Sequence, residues 1–242
     1  MGIKYKVNEN FFCRWDPSMA YILGFLFADG SLEDASYLRG KYLRVSNINK
    51  DSVSYIKKSL EAEHPILELP PRKEKHKPRY FLRIGSHKMY DSLVKLQMHP
   101  NKSLTALFPD VPKKYLGDFI RGYFDGDGCV HLSLSEGKKQ KTIVRKLQVI
   151  FTSGSQKFLK VLSERLSNFC GEIKISNSHR SFQLRYNTRQ SINIFRLMYQ
   201  NAPKGFCFKD KLTVFIKYFK LRPVSADKMV KNILLKFGHV VK

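Results

Sequence analysis

Acidic residues and cysteines are scarce in this chain of 242 residues, and it has no long apolar segment. Asp and Glu number 20 against 44 Lys and Arg, which gives a formal net charge of +24. No apolar run approaches the roughly 18 to 20 residues that a membrane-spanning helix needs. Because such an excess of positive charge opposes folding by self-repulsion, a polyanionic partner is expected, and nucleic acid is favoured over an anionic membrane.

The four cysteines, Cys13, Cys129, Cys170 and Cys207, are scattered along the chain. None belongs to a C-x-x-C pair and no histidine pair has zinc-ligand spacing, which argues against a zinc finger or zinc ribbon. We expect free thiols in a reducing compartment. The amino terminus has no apolar signal core, so an intracellular location is expected, in the bacterial cytoplasm or an organelle, rather than secretion.

Two stretches, "YILGFLFADG" at 21–30 and "DFIRGYFDGDG" at 118–128, have the same design. Each is apolar at helical spacing and ends in an acid followed by glycine. The helix dipole disfavours a carboxylate at this end of a helix. A chain that places an acid there twice therefore needs an interaction that compensates.

Both copies continue with the same order of predicted elements. Two strands of alternating polarity come first, then a capped amphipathic helix, a second pair of strands and another helix. The predicted segments are 31–47, 49–63, 65–70, 79–86 and 89–97 in the first copy, and 129–153, 154–169, 171–176, 181–187 and 191–200 in the second.

This repetition predicts an α+β protein, a pseudo-twofold pair of αββαββα repeats. We expect an N-terminal subdomain at 1–107 and a C-terminal one at 115–221, joined by a linker at 108–114 that contains two prolines. Residues 222–242 form a basic tail, for which an extra amphipathic helix and a frayed end both remain open.

Small residues recur on one face of each motif helix. Gly24 and Ala28 lie four residues apart, and Gly122 and Gly126 repeat that spacing. Small residues one turn apart let two helix backbones approach closely. We therefore expect the two motif helices to pack along these faces.

That packing would bring the two final acids, Asp29 and Asp127, to the same end of the helix pair. Two like charges beside two negative helix ends are unfavourable without a cation. A divalent metal such as Mg²⁺, which accepts carboxylate, carbonyl and water oxygens, resolves the conflict.

The two motifs resemble those of the LAGLIDADG homing endonucleases, in the single-chain form with two motifs. Residues 22–30, "ILGFLFADG", and 120–128, "IRGYFDGDG", keep the third-position glycine and the closing acid-glycine pair. Phe27 departs from the acid of the motif name. The resemblance extends, through the repeated order of strands and helices, over about residues 15 to 220.

The resemblance implies a site-specific endonuclease that hydrolyses both strands of double-stranded DNA across the minor groove and leaves short 3′ overhangs. It also implies intron homing, action as a monomer, and Mg²⁺ as cofactor, with Mn²⁺ able to substitute. Each half would contribute a four-stranded antiparallel sheet to a saddle over a long DNA target, with the motif helices at the centre.

The resemblance also implies roles for individual residues. Asp29 and Asp127 would bind the metals, helped by backbone carbonyls. A basic residue near the site in each half and a polar residue that orders water would assist. The carbonyls belong to Ala28 and Gly126, the basic residues are Lys102 and Lys211 (with Lys209 as an alternative to Lys211), and the polar residues are Asn47 and Ser153.

Several predicted strands alternate basic or polar residues with apolar ones, as a DNA-facing sheet requires. Arg and Gln can make bidentate contacts with guanine and adenine edges in the major groove, and the lysine-rich loop at 136–141 suits phosphates. The candidate DNA-binding residues are Lys41, Arg44, Arg79, Arg83, Lys138, Lys139, Lys141, Lys146, Gln148, Gln183, Arg185 and Asn187.

Two other functions fit the same fold. One is an intron RNA maturase, which binds structured RNA without needing the metal acids, and the other is a DNA-binding regulator that does not cleave. The retained acids favour cleavage. An intein is less favoured, because the chain neither starts with Cys or Ser nor ends in His-Asn.

Overall fold

The computed structural model describes residues 5–38, 40–71, 77–136, 142–203 and 209–241. The chain forms two compact units, Met1–Gly126 and Asp127–Lys242. This packing boundary differs from the subdomain boundary expected from the repeat, because the second motif helix packs with the first unit. The predicted linker at 108–114 rests on the repeated order of helices and strands, and it stays a prediction.

The first unit contains four α-helices and four strands in its described part, in the predicted order. All strand pairs are antiparallel, and the sheet order is β1-β2-β4-β3. The elements are α1 (Pro17–Asp29), β1 (Gly30–Ala35), β2 (Gly40–Asn47), α2 (Lys50–Ser59), β3 (Ile66–Leu69), β4 (Arg79–Gly85), α3 (His87–Lys95) and α4 (Leu116–Asp127), of which α4 ends one residue into the second unit.

The described part of the second unit repeats the arrangement, with sheet order β5-β6-β8-β7, and adds two helices. The predicted α+β fold with two αββαββα repeats is therefore confirmed. The elements are β5 (Gly128–Glu136), β6 (Thr142–Ser153), α5 (Gln156–Cys170), β7 (Ser176–Ser178), β8 (Ser181–Tyr186), α6 (Thr188–Tyr199), α7 (Lys209–Leu221) and α8 (Lys228–Lys236).

Helix α1 is the centre of the first unit, and every residue from 19 to 27 is buried. A helix that is apolar on all sides must be covered on all sides. Its start is fixed by Asp16, whose carboxylate accepts a hydrogen bond from the Met19 amide at 2.8 Å, and by Pro17 at the first helical position. The buried sheet face, with Leu43 and Val45, provides part of the surrounding core.

The third strand of the second sheet was predicted too early in the chain. The pattern "GEIKIS" indicated a strand at 171–176, but β7 is the short segment Ser176–Ser178, paired with Ser181–Gln183 across a tight turn. Ile173 and Ile175 are half-buried and their neighbours are exposed. Alternating polarity thus reports which side chains meet apolar surface, and not whether the backbone pairs.

The C-terminal region folds as a helix rather than a frayed end. Asp227 caps α8 by accepting from the Val230 amide at 2.9 Å, and it also forms an ion pair with Arg196 on α6. Ile233 and Leu234 are buried. Within the described residues, no helix combines the length and apolarity needed to cross a bilayer.

His64 is a buried titratable side chain in the first unit. It is 6% exposed, its ring centroid lies 5.2 Å from that of Tyr5, and its Nδ1 has no hydrogen-bond partner among the described residues. Burial, reinforced by the charge of Lys57, lowers the pKa of His64. The unfolded chain therefore binds a proton first as the pH falls.

We expect the free energy of unfolding to decrease as the pH falls through about 6.5, the ordinary histidine pKa, and to level off below the folded-state pKa. His64→Phe should remove this part of the pH dependence, measured by urea unfolding between pH 8 and 5. The exposed His179→Phe should keep it. An unchanged pH dependence in His64→Phe would contradict the assignment.

Candidate functional site

Helices α1 and α4 touch backbone to backbone at two glycines. A Cβ added at Gly24 would lie 2.0 Å from the carbonyl oxygen of Phe119, and one added at Gly122 would lie 1.9 Å from that of Tyr21. Real Cβ atoms do not approach oxygen so closely, so glycine is required at both positions. This pair of contacts is the α1–α4 seam.

The other two small residues lie further along the seam, toward the carboxyl ends of the helices. A Cβ added at Gly126 would lie 2.3 Å from the Ala28 Cβ and 3.4 Å from Oδ2 of Asp29. The last turn of α4 therefore passes directly beside the final acid of α1. Asp127, which is exposed, is the next residue of the chain.

Asp29 is half-buried and its orientation is controlled by Asn47 at the end of β2. Nδ2 of Asn47 donates to Oδ2 of Asp29 at 2.7 Å, while Oδ1 of Asn47 accepts from the Asn49 amide at 2.7 Å. The amide–backbone bond fixes which way the Asn47 side chain faces, so its NH₂ group must face the carboxylate.

Ser153 occupies the matching place in the second unit. Its hydroxyl accepts from the Ser155 amide at 3.1 Å, the same two-residue turn that Asn47 makes with Asn49. In both units the next residue but one caps the following helix. The two polar residues predicted to order water are thus equivalent positions of the repeat.

The two predicted lysines have different surroundings. Lys102 is 5% exposed and lies in a short 3₁₀ helix, directly after Asn101 in the left-handed conformation at φ 57°. Lys211 on α7 donates from Nζ to the carbonyl oxygen of Gly128 at 2.6 Å, one residue after Asp127. The Lys209 side chain lies outside the described residues.

A buried polar network that the sequence reasoning missed crosses the seam. Arg121 is fully buried, its Nη2 lies 2.9 Å from Asp118, and its guanidinium lies 5.0 Å from the Tyr21 ring centroid. The Tyr21 hydroxyl donates to the buried Asp125 at 2.8 Å. The sequence signal for this network was the presence of Arg121 and Asp125 inside the otherwise apolar stretch "IRGYFDG", because buried charges require partners.

The exposed face of the first sheet carries Arg44, Arg79 and Arg83, as predicted from the alternation. Lys41 was also a candidate DNA-binding residue, but it lies on the opposite face with Leu43, and its Nζ binds Asp91 on α3 at 2.8 Å. Successive residues of a strand face opposite sides of the sheet, so Lys41 and Arg44, which are three residues apart, lie on opposite faces.

In the second sheet Lys146, Gln148, Gln183 and Arg185 lie on the face opposite the buried strand residues. Asn187 is a second correction, because it lies past the end of β8 and its side chain caps α6 by accepting from the Gln190 amide at 3.0 Å. Lys138, Lys139 and Lys141 lie outside the described residues.

A family model described as a LAGLIDADG-like domain matches residues 114–197. An uncharacterized protein of Methanocaldococcus jannaschii is 28% identical over 116 residues, which is 47% of this chain and 40% of that protein. A probable translation initiation factor IF-2 of Thermococcus kodakarensis is 32% identical over 52% of this chain and 10% of that protein. The chain thus spans less than half the length of both relatives.

Solved structures match nearly the whole chain. The homing endonuclease I-WcaI bound to its DNA recognition sequence has a TM-score of 0.57 and 11% identity, over 85% of this chain and 90% of its own. The LAGLIDADG meganuclease I-AabMI bound to uncleaved DNA scores 0.55 at 12% identity, over 93% and 99%. I-DmoI in complex with DNA and Ca scores 0.53 at 17% identity, over 86% and 98%.

The seam predicts that Gly122→Ala lowers the free energy of unfolding by about 3 kcal/mol or more, because the added methyl group displaces the α1 backbone. In an unobstructed helix the same change stabilises by about 1 kcal/mol. Urea unfolding measures the difference. The exposed Lys58→Ala on α2 serves as control and should change stability little, and a Gly122→Ala variant as stable as the parent would contradict the packing.

Proposed function

Since the chain contains a LAGLIDADG-like domain and has the fold of LAGLIDADG homing endonucleases, we propose that it is a site-specific endonuclease that hydrolyses both strands of double-stranded DNA. The observation that carries the proposal is the Asp29 carboxylate, oriented by Asn47 at the end of the α1–α4 seam. The net charge of +24 supports a polyanionic substrate. Short 3′ overhangs, intron homing and action as a monomer belong to the same proposal.

The residues present fit a hard divalent metal such as Mg²⁺. Within the described part of the chain, no group of three or more His, Cys, Asp or Glu side chains is placed to hold a metal. Mg²⁺ does not need one, because it is usually held by one or two carboxylates with waters and substrate phosphate. Asp29 and Asp127, with the carbonyls of Ala28 and Gly126, are the proposed ligands.

When bound, the metal would lower the pKa of an attacking water and stabilise charge on the scissile phosphate. The protein's own contribution is positioning. Asn47 holds the Asp29 carboxylate in one orientation. The turn that Ser153 makes gives it the corresponding place in the second unit, where it would order water.

The lysines complete the proposed site. The Lys211 ammonium, held by the carbonyl of Gly128, lies at the start of β5 immediately after Asp127. A cation there favours the negative charge that develops on a phosphate during cleavage. The burial of Lys102 supports a charge kept close to the protein interior rather than a solvated surface lysine.

The acids are tested by Asp29→Asn and Asp127→Asn, assayed on a duplex selected from a randomised library, with Mg²⁺. We expect each substitution to lower the cleavage rate by at least about a hundredfold, because an amide binds a divalent cation far more weakly than a carboxylate. Binding should persist. The exposed Asp51→Asn on α2 should cut like the parent.

Full cleavage by both asparagine variants would refute the metal assignment. Tight, selective binding by the parent protein without cleavage in Mg²⁺ or Mn²⁺ would instead identify a DNA-binding regulator. Splicing of an intron RNA that persists in both variants would identify a maturase.

DNA binding should weaken steeply with salt. Each phosphate neutralised by Lys or Arg contributes about 0.9 to the slope of log affinity against log salt concentration. For six to ten contacts, affinity should fall by roughly a thousandfold or more between 50 and 200 mM salt. Fluorescence anisotropy on a labelled duplex measures it, and a slope below about 2 would argue against a phosphate-tracking surface.

A further inference from the structure

Tyr42 lies flat on the exposed face of the first sheet, in a space left by two glycines. Gly85 is directly opposite Tyr42 in the β2–β4 register, and Gly40 precedes it by two residues on the same face. A Cβ added at Gly85 would lie 3.1 Å from Cε1 of Tyr42, and one added at Gly40 would lie 2.5 Å from the Tyr42 hydroxyl oxygen. The ring therefore forms a flat aromatic surface.

The Arg83 guanidinium stacks on this surface, with its Cζ 3.5 Å from the Tyr42 ring centroid. Its Nε donates to Oε2 of Glu33 at 3.2 Å and its Nη2 donates to Oε1 at 3.0 Å. The guanidinium is thus held by stacking on one side and by a two-point contact on one edge, and a planar fork so restrained has few orientations left.

The same carboxylate also holds Arg44. Nη1 of Arg44 lies 3.5 Å from Oε2 of Glu33, and its Cζ lies 5.4 Å from the Phe81 ring centroid. Arg44 and Arg83 are direct neighbours in the β2–β4 register, where like charges repel. In the described strands of this sheet, Glu33 is the one acid on this face, and it lies between the two guanidinium groups.

Stability does not account for Glu33. All three side chains are substantially exposed, at 31% for Glu33 and 44% and 42% for Arg44 and Arg83. Ion pairs so exposed contribute little to the free energy of unfolding. On a surface proposed to face DNA, a carboxylate also repels phosphates and lowers affinity for every sequence. A residue that weakens general binding makes sense if it increases discrimination between sequences.

We infer that Glu33 is a positioning residue for base recognition, which holds Arg83 so that the opposite end of its guanidinium can bind a guanine edge, with Arg44 held alongside. Glu33 occupies the Nε–Nη2 edge. The outer edge, formed by one N–H of Nη1 and the second N–H of Nη2, retains the parallel pair of donors that matches O6 and N7 of guanine. This inference rests on the proposed DNA-binding function and adds the residue that restrains the reading arginine.

The test compares Glu33→Gln with the parent protein, without added divalent metal. The probes are a duplex selected from a randomised library by the parent protein and a scrambled duplex of the same length. We expect Glu33→Gln to bind the scrambled duplex more tightly and to lose about tenfold in the ratio of the two affinities, the range of one bidentate base contact. Repeating the selection should show weaker preference for guanine at one position.

Three further variants separate positioning from charge. Glu33→Asp keeps the charge but cannot span both arginines, so the affinity ratio should fall while binding to the scrambled duplex stays unchanged. Arg83→Lys removes the fork, and adding Glu33→Gln to it should lower the ratio little further. Glu68→Gln removes an acid from the other face of the same sheet and should leave the ratio unchanged.

An affinity ratio that Glu33→Gln and Glu33→Asp both leave intact would overturn the inference, since Glu33 would then act as a repelling charge only. The inference would also be overturned if Glu33→Gln lowered the affinity ratio equally in the parent protein and in the Arg83→Lys variant. A parent protein that selects no sequence from the library would instead refute the proposed function. Thermal unfolding of each variant by circular dichroism verifies that the fold is retained.

Discussion

The direct backbone contact between α1 and α4 is the constraint on which the rest of the first unit depends. Gly24 and Gly122 each lie against a carbonyl oxygen of the other helix, so no side chain separates the two helices. Such a contact fixes both the distance and the rotation of the pair. Because no hydrophobic side chain is buried at the point of closest approach, the stability of the contact depends on the apolar residues that surround α1 on its other sides.

The seam determines the surroundings of the Asp29 carboxylate. With the backbones in contact, Gly126 must pass beside Asp29. Asn47 then sets the orientation of the Asp29 carboxylate through a side chain that the backbone of Asn49 has already fixed. A glycine pair, a two-residue turn and one amide thus position the Asp29 carboxylate.

The second unit shows which features of the repeat are general and which are local. The turn made by Ser153 reproduces that of Asn47 with a hydroxyl in place of an amide. The first sheet, by contrast, has its own cluster of Glu33, Tyr42 and two arginines. Under the proposed function, a repeated scaffold with different surface side chains would allow the two halves to read different DNA sequences.

Periodicity and the duplicated motif were enough to predict the order of helices and strands, because both depend on local patterns of apolar residues. The length of β7, the pairing of Lys41 with Asp91 and the capping role of Asn187 were not predictable in the same way. They depend on where a ladder stops, which neighbour a strand residue meets, and where the next helix begins. The Arg121–Tyr21–Asp125 network depends on the pairing of two distant helices, which no local pattern contains.

Anomalous diffraction from crystals of the protein with its selected duplex and Mn²⁺ would locate the metal directly. If Asp29 and Asp127 are the metal ligands, Mn²⁺ density will lie against both carboxylates, with an oxygen of the scissile phosphate among the ligands. Mn²⁺ bound elsewhere, with both carboxylates directed away from the phosphodiester, would contradict that assignment.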